Sequence, residues 1–425
     1  MIKFEVFPQK MATIFEDLKF RELIYQVTNE KELKKRLEKE KITLYAGFDP
    51  TAPSLHLGNL LVLLTLKRFQ NFGHKILVVI GGGTALIGDP SGKQKERELQ
   101  LKEIIEQNKE KISNQIKSIL EEVKIYDNYE WLSQIDTISF LRDYGKYFQV
   151  SEMINKESVK SRISTTGISF CEFSYMVLQA IDFLKLFEKE NCELQIGGSD
   201  QWGNIVCGID LIKKIHKREV FGLTLPLLLT KSGKKFGKTE KGAIYLDKNL
   251  TLPYQFYQYL INTADEDVIL LLKRFTFLSK EEILEIEKEH FKDPKKRLAQ
   301  KILAQKLTEI VHGKKELERV EKISEILFYG NVKDLKEKEI KEAFFNVPSE
   351  KISLKEREIS ILELLKEGKV VPSKSEAKRL IQQGGVSVNG ELILNLEKKF
   401  SKEDALYGKY FVIRKGKKHY FLVEL

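Results

Sequence analysis

The chain has 425 residues, of which 42% are hydrophobic and 32% are charged, as expected for a globular protein with a substantial core. These proportions exclude a disordered, collagen-like or disulfide-framework chain, and no apolar run approaches the roughly 18 residues needed to span a bilayer. Of the net charge of +10, residues 351–425 contribute six, with 16 basic against 10 acidic side chains; this favours a polyanionic partner, although a solvated lysine-rich surface explains it equally well.

The cysteines predict a protein of a reducing compartment. Cys171, Cys192 and Cys207 are odd in number and widely spaced, which fits neither a disulfide framework nor a zinc site. The first residues show no apolar signal segment. We therefore expect a cytoplasmic protein with three ordinary buried thiols.

The beginning of the chain predicts a βαβ unit. After a tail of ten residues, a helical pattern runs through residues 14–40, and the apolar run ITLYAGF (42–48) predicts a buried strand. A loop with two prolines leads into a helix whose apolar residues recur at helical spacing from Leu60 to Phe69, and KILVVI (75–80) predicts a second strand. This order predicts a parallel sheet with a right-handed crossover.

Further strands and helices follow. Helical patterns cover residues 93–124 and 168–190, and CELQIGG (192–198) predicts a third strand that ends in a glycine-rich turn. Residues 223–230 form a last apolar run. From residue 250 to 345 the pattern predicts helices joined by short charged turns.

The last part of the chain has clear start and stop signals. After a predicted linker at 346–358, Ser373 and Glu376 form a capping-box pattern that begins a helix, and Gly384–Gly385 end it. The pair Asn389–Gly390 predicts a hairpin with a type I′ turn. A basic helix beside a small hairpin fits an RNA-binding surface as well as a plain structural domain.

Two common nucleotide-binding motifs fail. A dinucleotide fingerprint needs G-x-G-x-x-G or G-x-G-x-x-A after the first strand, but no such run follows residues 42–48, and residues 81–86 read GGGTAL. A P-loop needs four residues between its glycine and Gly-Lys-Thr, whereas residues 233–239, GKKFGKT, have three.

A third pattern pairs the segment HLGN (56–59) with the segment KFGKT (235–239). His56 and Gly58 stand at the start of a predicted helix, where free backbone N–H groups and the helix dipole attract phosphate. We expect His56 to donate a hydrogen bond to a phosphate oxygen and Gly58 to allow a nucleotide to approach closely. The two lysines of KFGKT lie in a glycine-containing loop suited to follow the charge of a departing pyrophosphate. Each segment alone is explained by chance or by a solvated loop, but the ordered pair is far more specific.

Five segments carry a resemblance to a known family. They are LYAGFDPTAPSLHLGN (44–59), GDPSGKQKER (88–97), EFSYMVLQAIDF (172–183), LQIGGSDQWGN (194–204) and KFGKT (235–239). Over nearly its whole length the chain resembles bacterial-type tyrosyl-tRNA synthetases, which are class I aminoacyl-tRNA synthetases. HLGN is similar to the class signature HIGH, and KFGKT is similar to KMSKS.

The resemblance implies an α/β fold, with a Rossmann-like parallel-sheet catalytic domain followed by a helical domain and a small α+β RNA-binding domain. The implied boundaries are 1–230 for the catalytic domain including a dimer-interface insertion, 231–247 for the KMSKS-type loop, 248–345 for the helical, anticodon-side domain, 346–358 for the linker and 359–425 for the basic RNA-binding domain.

The implied activity is tyrosine–tRNA ligation: ATP activates L-tyrosine to tyrosyl-adenylate and pyrophosphate, and the tyrosyl group then moves to the 3′ end of tRNA-Tyr. Because the tyrosine carboxylate is already ionised, its attack on the α-phosphate needs no general base, and we expect catalysis by positioning and charge stabilisation. Mg²⁺ is expected to accompany ATP, held mainly by its phosphates, and no tightly bound cofactor or protein metal site is expected. The other implied partner is a second copy of the chain, with a homodimer interface around residues 125–165; no membrane partner is expected.

The resemblance assigns substrate residues one by one. For tyrosine they are Tyr45 and Asp182 at the phenol, Asp89, Tyr175 and Gln179 at the amino group, and Gln201 near the carboxyl group. For ATP they are Asp49, Gly58, Asn59, Lys93, Arg97, Gly198, Asp200 and Lys238. The candidate catalytic residues are His56, Thr51, Lys235, Lys238 and Thr239, and the candidate RNA-binding residues are Lys374, Lys378 and Arg379. The spacing of Tyr175, Gln179 and Asp182 places all three on one helix face.

Two residues depart from the family pattern. Asn59 replaces the second histidine of HIGH; it keeps a hydrogen-bond donor but cannot titrate. Ala46 stands where many members have cysteine, which removes one weak contact to the ribose. Both changes make the affinity for ATP harder to predict, and neither alters the expected reaction.

Three other functions fit parts of the sequence. A tryptophanyl enzyme shares the fold and the chemistry, but Tyr45 with Asp182 and the basic C-terminal segment favour tyrosine. An RNA-binding protein with an inactive synthetase-like domain is disfavoured by the intact HLGN and KFGKT segments. A general adenylyl-transferring enzyme would need neither the helical domain nor the basic segment.

Overall fold

The buried strand predicted near residue 45 lies at the middle of a six-stranded sheet. The computed structural model describes residues 13–92, 100–239, 242–329, 331–354, 358–416 and 419–425. The strands of this sheet are β1 Gln26–Val27, β2 Thr43–Phe48, β3 Lys75–Ile80, β4 Lys124–Asp127, β5 Cys192–Gly198 and β6 Phe221–Leu225. Their order is β1-β6-β5-β2-β3-β4, and every pair is parallel except β1 with β6. The predicted parallel sheet is therefore confirmed.

The sheet order fixes where a ligand can bind. From β2 the chain adds β3 and β4 on one side and later places β5 on the other side, so the strand order reverses between β2 and β5. In open α/β sheets the crevice at such a reversal, outside the carboxyl ends of the strands, is the usual ligand site. Strand β3 is buried from Ile76 to Ile80, as expected when helices cover both faces of a parallel sheet.

The helices occur in the following order along the chain. They are α1 Ile14–Phe20, α2 Glu30–Lys39, α3 Leu57–Asn71, α4 Lys102–Ile119, α5 Tyr129–Leu132, α6 Thr137–Ser139, α7 Val150–Ile154, α8 Glu157–Ile163, α9 Phe170–Glu190, α10 Trp202–His216, α11 Pro253–Ile261, α12 Asp265–Phe275, α13 Lys280–Lys292, α14 Leu298–His312, α15 Lys314–Tyr329, α16 Glu337–Ala343, α17 Ile361–Glu367 and α18 Lys374–Gln382. Short 3₁₀ turns lie at Thr84–Leu86, Gly145–Tyr147, Ser199–Gln201, Pro294–Lys296, Val332–Asp334 and Lys402–Asp404, and a π-helical turn lies at Phe140–Tyr144. Among the described residues, none of these helices is long and apolar enough to cross a membrane.

Several predicted elements differ in the structure. The helical pattern of residues 93–124 is the helix α4 from Lys102 to Ile119, and Lys124 already belongs to β4. The helical pattern of residues 14–40 is two helices with strand β1 between them, because Asn29 starts a new helix: its side chain accepts a hydrogen bond from the Glu32 N–H. The apolar run 223–230 is a strand only as far as Leu225, since the next residue, Pro226, has no N–H to donate to a ladder.

Contacts divide the chain into two units. One contains the described residues up to Thr251 together with Leu260–Val311, and the other contains Leu252–Tyr259 and His312–Leu425. The predicted helical segment 248–345 therefore contributes helices to both units. Its proposed boundaries as a domain stay a prediction.

The second unit contains a five-stranded sheet. Its strands follow the short pair β7 Lys238–Thr239 and β8 Gly242–Ala243 of the first unit, and the remaining strands are β9 Ser349–Lys351, β10 Glu358–Ser360, β11 Val386–Val388, β12 Glu391–Leu392, β13 Lys399–Ser401, β14 Tyr410–Lys415 and β15 His419–Glu424. The sheet order is β12-β11-β14-β15-β9, while β10 pairs with β13. The predicted hairpin is confirmed, because β11 and β12 pair across Asn389 and Gly390, whose φ angles of 49° and 86° suit a type I′ turn. Strand β9 lies within the stretch 346–358 that was predicted as a linker and pairs in parallel with β15.

Candidate functional site

A cavity of about 450 Å³ opens at the carboxyl ends of β2 and β5, where the strand order reverses. The predicted site residues that line it are Tyr45, Asp49, Thr51, His56, Gly58, Asn59, Asp89, Tyr175, Gln179, Asp182, Gly198, Asp200, Gln201, Lys235 and Lys238. Lys93 and Arg97 lie outside the described residues. The backbone of Thr239 belongs to β7, and its side chain is outside the description.

The buried end of the cavity is formed by Tyr45 of β2 and Asp182 of α9. Tyr45 is 1% exposed, and its hydroxyl makes no hydrogen bond to any described residue. Burial and the nearby charge of Asp182 raise the pKa of Tyr45 well above its ordinary value, so the phenol stays protonated. An unpaired buried hydroxyl is costly, and a ligand with a polar group at this end of the cavity would satisfy it.

Asp182 is a buried carboxyl group held by two donors. Its Oδ2 accepts from Asn128 Nδ2 at 3.0 Å, and its Oδ1 accepts from Trp131 Nε1 at 2.8 Å. Burial raises the pKa of Asp182 to about 7, while these two hydrogen bonds oppose the rise. The carboxyl group therefore titrates near neutral pH in the substrate-free protein.

Asn128 and Trp131 were missed in the sequence. Asn128 follows β4 directly and is fully buried, and its Oδ1 accepts from the Gly83 N–H at 2.8 Å. It thereby ties the turn after β3 to the carboxylate of α9. The strand before it, β4, was not predicted from the sequence, so no local signal identified Asn128.

A second polar cluster surrounds Asp89. Its Oδ2 accepts from Gln201 Nε2 at 2.6 Å, and its Oδ1 accepts from the Ser91 N–H at 2.9 Å. Asn204, which is 2% exposed, donates to Gln179 Oε1 at 3.0 Å and to Gln201 Oε1 at 3.2 Å. Asn204 is a further residue missed in the sequence. Its hydrogen bonds hold the side-chain oxygens of both glutamines, and Gln201 directs its amide N–H to Asp89.

Asp49 joins helix α9 to the turn after β3. The resemblance assigned it to ATP, and the structure shows that its Oδ2 accepts from the Tyr175 hydroxyl at 2.8 Å and its Oδ1 from Thr84 Oγ1 at 2.8 Å. A Cβ atom at Gly81 would lie 1.9 Å from Asp49 Oδ1, so only glycine fits there. Burial, followed by the charges of Asp49 and Asp89, raises the pKa of Tyr175 well above its ordinary value.

His56 has a different role from the one predicted for its segment. It is the N-cap of α3: its Nδ1 accepts from the N–H groups of Gly58 at 3.1 Å and Asn59 at 3.3 Å, while Asn59 Oδ1 accepts from the His56 N–H at 3.1 Å. These amides are therefore already paired, and the prediction that they are free for phosphate is wrong. Because Nδ1 accepts, the neutral imidazole carries its proton on Nε2.

Gly58 has a second reason to be glycine. A Cβ atom at residue 58 would lie 2.9 Å from Cε1 of His56, so glycine makes room for the capping imidazole, and its role in the approach of a nucleotide stays a prediction. What remains of the predicted phosphate site at the start of α3 is the helix dipole and the Nε2–H donor of His56.

The segments HLGN (56–59) and KFGKT (235–239) lie side by side, as the sequence predicted. The Leu57 N–H donates to the Ile244 carbonyl at 3.2 Å, and the Ile244 N–H donates to the Gly237 carbonyl at 2.9 Å. A Cβ atom at Gly237 would lie 3.0 Å from the Leu57 side chain, and the φ of Gly237 is +82°, so glycine is required twice over. Lys235 and Lys238 consequently line the same cavity as His56.

Asp200 lies near Lys235 at the mouth of the cavity. Partial desolvation and the charge of Asp89 raise the pKa of Asp200, and the charge of Lys235 opposes that rise. A Cβ atom at Gly198 would lie 2.5 Å from Asp200 Oδ1. The absence of a side chain at Gly198 therefore leaves room for the carboxylate.

The candidate RNA-binding residues lie on the exposed side of α18 in the second unit. Lys374, Lys378 and Arg379 are all exposed. Lys374 Nζ forms an ion pair with Glu363 Oε1 at 2.8 Å. For Lys378 and Arg379 the structure shows no ion pair with a described residue, so these two cations present their full charge to solvent.

Comparisons with known proteins agree on one family. A family model described as class I tRNA synthetases (W and Y) matches residues 37–329, and a model of the tyrosine–tRNA ligase SYY-like C-terminal domain matches residues 339–423. A tyrosine–tRNA ligase of Bacillus caldotenax is 50% identical over 414 residues, which is 96% of this chain and 98% of that protein. Tyrosine–tRNA ligase 1 of Bacillus subtilis (strain 168) is 48% identical over 421 residues, which is 97% of this chain and 99% of that protein. A C-terminally truncated mitochondrial tyrosyl-tRNA synthetase of Aspergillus nidulans, a solved structure, is similar with a TM-score of 0.69 and 32% identity, covering 75% of this chain and 95% of that one.

Proposed function

This chain belongs to the class I aminoacyl-tRNA synthetases of the tyrosine–tRNA ligase family, and from that premise we propose how its cavity works. The enzyme activates L-tyrosine with ATP to give tyrosyl-adenylate and pyrophosphate, and it then transfers the tyrosyl group to the 3′ end of tRNA-Tyr. In our proposal tyrosine occupies the part of the cavity between β2 and α9, and ATP occupies the part between α3 and the lysine-bearing loop.

The observation that carries this proposal is the unpaired hydroxyl of Tyr45 beside Asp182. A substrate phenol placed there would donate a hydrogen bond to the Asp182 carboxylate and accept one from the Tyr45 hydroxyl, so the unpaired hydroxyl is satisfied and the carboxylate gains a third donor. Phenylalanine in the same position would leave the Tyr45 hydroxyl unpaired and would offer the carboxylate no further donor. The hydrogen bonds from Asn128 and Trp131 hold the carboxylate in place for this contact.

The amino group of tyrosine is proposed to bind the cluster around Asp89. A primary ammonium has three N–H donors, and Asp89, Tyr175 and Gln179, which all line the cavity, offer oxygen atoms that can accept them. Gln201, which donates to Asp89, stands beside the place of the substrate carboxyl group. The Asp49–Tyr175 hydrogen bond then couples the amino-group site to the strand end that faces ATP.

The ATP side is proposed to use the residues at the cavity mouth. Gly198 and Asp200 would surround the ribose, and Asp49 and Thr51 would lie near the phosphates. Gly58 and Asn59 act at the start of α3: Gly58 seats the His56 ring, and Asn59 offers its side-chain amide N–H to the nucleotide. Lys93 and Arg97 remain proposed pyrophosphate ligands by resemblance alone, since they lie outside the described residues.

The proposed chemistry follows from charge. The ionised carboxylate of tyrosine attacks the α-phosphate, the new bond is a mixed anhydride, and pyrophosphate leaves with the electron pair of the broken P–O bond. His56 Nε2–H, Lys235, Lys238, Thr51 and Thr239 are proposed to stabilise the charge that builds on the α-phosphate and the leaving group. Mg²⁺ is proposed to arrive with ATP, bound mainly by phosphate oxygens.

Exchange of labelled pyrophosphate into ATP tests this function. With each of the twenty amino acids supplied in turn, only tyrosine should support rapid exchange, because only its phenol fits Tyr45 and Asp182. Exchange with tryptophan as the preferred substrate would favour the tryptophanyl alternative. Absence of exchange with every amino acid would favour a protein that only binds RNA.

Binding of tRNA is proposed to use the basic side of α18. A polyanion gains affinity from each neutralised phosphate and releases counterions, which makes such binding sensitive to salt. Lys378 and Arg379 are the strongest candidates, because they are exposed and lie on adjacent positions of one helix. Lys374 is proposed as a third contact, once its ion pair with Glu363 opens.

Reversal of these two charges should separate the two steps of the reaction. In a variant carrying Lys378→Glu and Arg379→Glu, the KM for tRNA should rise at least about tenfold, and the salt dependence of tRNA binding should fall by roughly two units of slope. Adenylate formation should be unchanged, since α18 contributes nothing to the cavity. Substitution is preferable to truncation at residue 355. Truncation would remove β15, the strand with which β9 pairs, and would leave β9 without its partner.

The matched control reverses two exposed lysines of α2, with Lys31→Glu and Lys39→Glu. It changes the net charge of the chain by the same amount in the first unit. An equal loss of tRNA affinity in the control would show that overall charge, rather than the surface of α18, attracts tRNA.

We further propose a homodimer that acts in the cytoplasm, where translation takes place. Within the expected interface segment 125–165, large apolar side chains are exposed by 40% or more at Ile138, Leu141, Val150, Ile154 and Ile163. Exposed apolar side chains concentrated in one segment favour a protein interface. Analytical ultracentrifugation should therefore give twice the mass of one chain, and a monomer at micromolar concentration would contradict the proposal.

A further inference from the structure

The lysine-bearing loop begins as a tight hairpin of residues 228–236. The Phe236 N–H donates to the Leu228 carbonyl at 2.8 Å, and the Thr230 N–H donates to the Lys234 carbonyl at 2.8 Å. At the tip, the Gly233 N–H donates back to the Thr230 carbonyl at 2.8 Å, and Gly233 has a φ of +78°. These bonds make the hairpin one small rigid body, so a contact at its tip also sets the direction of its base.

Helix α12 supports this hairpin at two places. At the tip, the Lys231 N–H donates to Asp267 Oδ1 at 2.8 Å. At the base, the buried ring of Phe236 packs against Phe275, with 6.4 Å between ring centroids. Asp267 and Phe275 lie eight residues apart, about 12 Å along the helix axis. Two supports at this separation fix both the position and the tilt of the hairpin.

The C-terminal end of α12 is also tied to α3, the helix that His56 caps. Arg21 Nη1 donates to the carbonyls of Lys273 at 2.8 Å and Thr276 at 3.0 Å, and Arg68, a residue of α3, donates to the Thr276 carbonyl as well. Asp17 pairs with Arg21 at 2.7 Å, and Asp17, Arg21 and Arg68 are all buried. Helix α12 is thus a common support for α3 and for the hairpin.

From this arrangement we propose that Asp267 is a positioning residue for adenylate formation. By accepting the Lys231 N–H it holds the hairpin where Lys235 and Lys238 face the triphosphate bound beside His56. The proposal rests on the proposed roles of these two lysines. The new element is that the Asp267 carboxylate, which lies outside the cavity, sets the fraction of time that Lys235 and Lys238 spend in their reactive position.

Asp267 could instead matter only as an acidic residue in the first turn of α12, where negative charge stabilises a helix. Glu266 is its neighbour in the same turn and is exposed. Glu266→Ala removes the same charge at the same helix end and leaves the contact to Lys231 intact. Asp267→Asn removes the charge but keeps an oxygen that can accept the Lys231 N–H.

The test measures the single-turnover rate of tyrosyl-adenylate formation and, separately, the equilibrium affinity for tyrosine. Asp267→Ala should lower the rate about tenfold, which corresponds to about 1.4 kcal/mol, with tyrosine affinity unchanged. Asp267→Asn should recover most of the rate, and Glu266→Ala should match the unaltered enzyme. An equal loss in Glu266→Ala, a parallel loss of tyrosine affinity, or failure of Asp267→Asn to recover would each overturn the proposal.

Combination with Lys238→Ala distinguishes this proposal from the one on which it rests. If Asp267 acts through the loop lysines, its removal should cost less than about threefold in a chain that already lacks Lys238. Fully multiplicative losses would overturn the positioning role. A normal rate in the Lys238→Ala single variant would instead contradict the proposed role of that lysine, whatever Asp267 does.

Discussion

Replacement of Lys238 by alanine is expected to slow tyrosyl-adenylate formation by about 10²- to 10³-fold while leaving the dissociation constant for tyrosine unchanged. Lys238 lines the mouth of the cavity, away from the buried end where Tyr45 and Asp182 lie. Its ammonium is proposed to meet the charge that develops on pyrophosphate, which exists only as the reaction proceeds. An interaction made mainly in the transition state lowers the rate of the chemical step and leaves substrate binding intact.

Stopped-flow measurement of the single-turnover rate, with tyrosine binding measured in parallel, checks this expectation. The matched control is Lys234→Ala, because Lys234 is an exposed lysine of the same hairpin and is not among the residues that line the cavity. Equal losses in rate and in tyrosine affinity would contradict a transition-state role. So would an equal effect of Lys234→Ala, since that result would point to the general charge of the loop.

Replacement of Asp182 by alanine is expected to abolish most of the preference for tyrosine over phenylalanine. Tyrosyl-tRNA synthetases are themselves the standard example of this selectivity, about 10⁵, and that general figure sets the scale. The physical reason is that Asp182 is proposed to supply the buried acceptor for the substrate phenol, beside a Tyr45 hydroxyl that has no other described partner. The ratio of kcat/KM for tyrosine to that for phenylalanine should fall by at least about 10²-fold.

Asp182→Asn provides the conservative comparison. Asparagine keeps the volume and one acceptor oxygen for Asn128 or Trp131, but it removes the charge, so selectivity should lie between that of the unaltered enzyme and Asp182→Ala. Unchanged discrimination in both variants would remove Asp182 from the tyrosine site. Thermal unfolding of each variant shows whether the fold is retained.

The same selectivity should depend on pH. Burial raises the pKa of Asp182 to about 7 in the substrate-free protein, so the carboxyl group gains a proton as the pH falls below 7 and ceases to be an ionised acceptor. The ratio of kcat/KM values for tyrosine and phenylalanine should therefore fall between pH 8 and pH 6, and taking the ratio cancels other titrations that affect both substrates alike. In Asp182→Asn the ratio should be flat over this range, and a slope that persists in this variant would assign the titration to another group.

The raised pKa also fixes the sign of a stability effect. Because the folded state holds the Asp182 proton more tightly than the unfolded chain, this group stabilises the fold at low pH, and its contribution is lost as the pH rises toward 7. The proposed binding of tyrosine therefore favours the ionised form of the Asp182 carboxyl group, whereas the stability of the fold favours the protonated form. Such a conflict is typical of a functional residue.

The sequence predicted the parts of the fold that rest on local pattern. The strand at Thr43–Phe48 and the helix at Phe170–Glu190 have long apolar patterns that leave little choice of structure, and both are confirmed. The short strand Gln26–Val27 was missed, because its two residues are held by pairing with β6, which lies about 200 residues away in the chain. Pairing at that distance leaves no local signal.

The sequence also left parts of the candidate site unpredicted, again because distant segments form it. Tyr45 and Asp182 could be named only by resemblance, because nothing in the local sequence reveals that β2 and α9 meet at one cavity. The capping role of His56 was misjudged, since histidine is an uncommon N-cap and the pattern shows only that it precedes a helix. Asn128 and Asn204 were missed because an asparagine after a strand or within a helix usually faces solvent, and only the assembled fold buries them.

We propose that tyrosine, with its phenol at Tyr45 and Asp182, reacts in one cavity with a triphosphate that lies between His56 and the lysine-bearing loop. The most direct measurement is a crystal structure of the full chain with a non-hydrolysable analogue of tyrosyl-adenylate. We predict the phenol oxygen within hydrogen-bond distance of both Tyr45 Oη and Asp182, and the phosphate mimic within reach of His56 Nε2. An analogue bound with its phenol away from Asp182, or bound outside this cavity, would contradict the account.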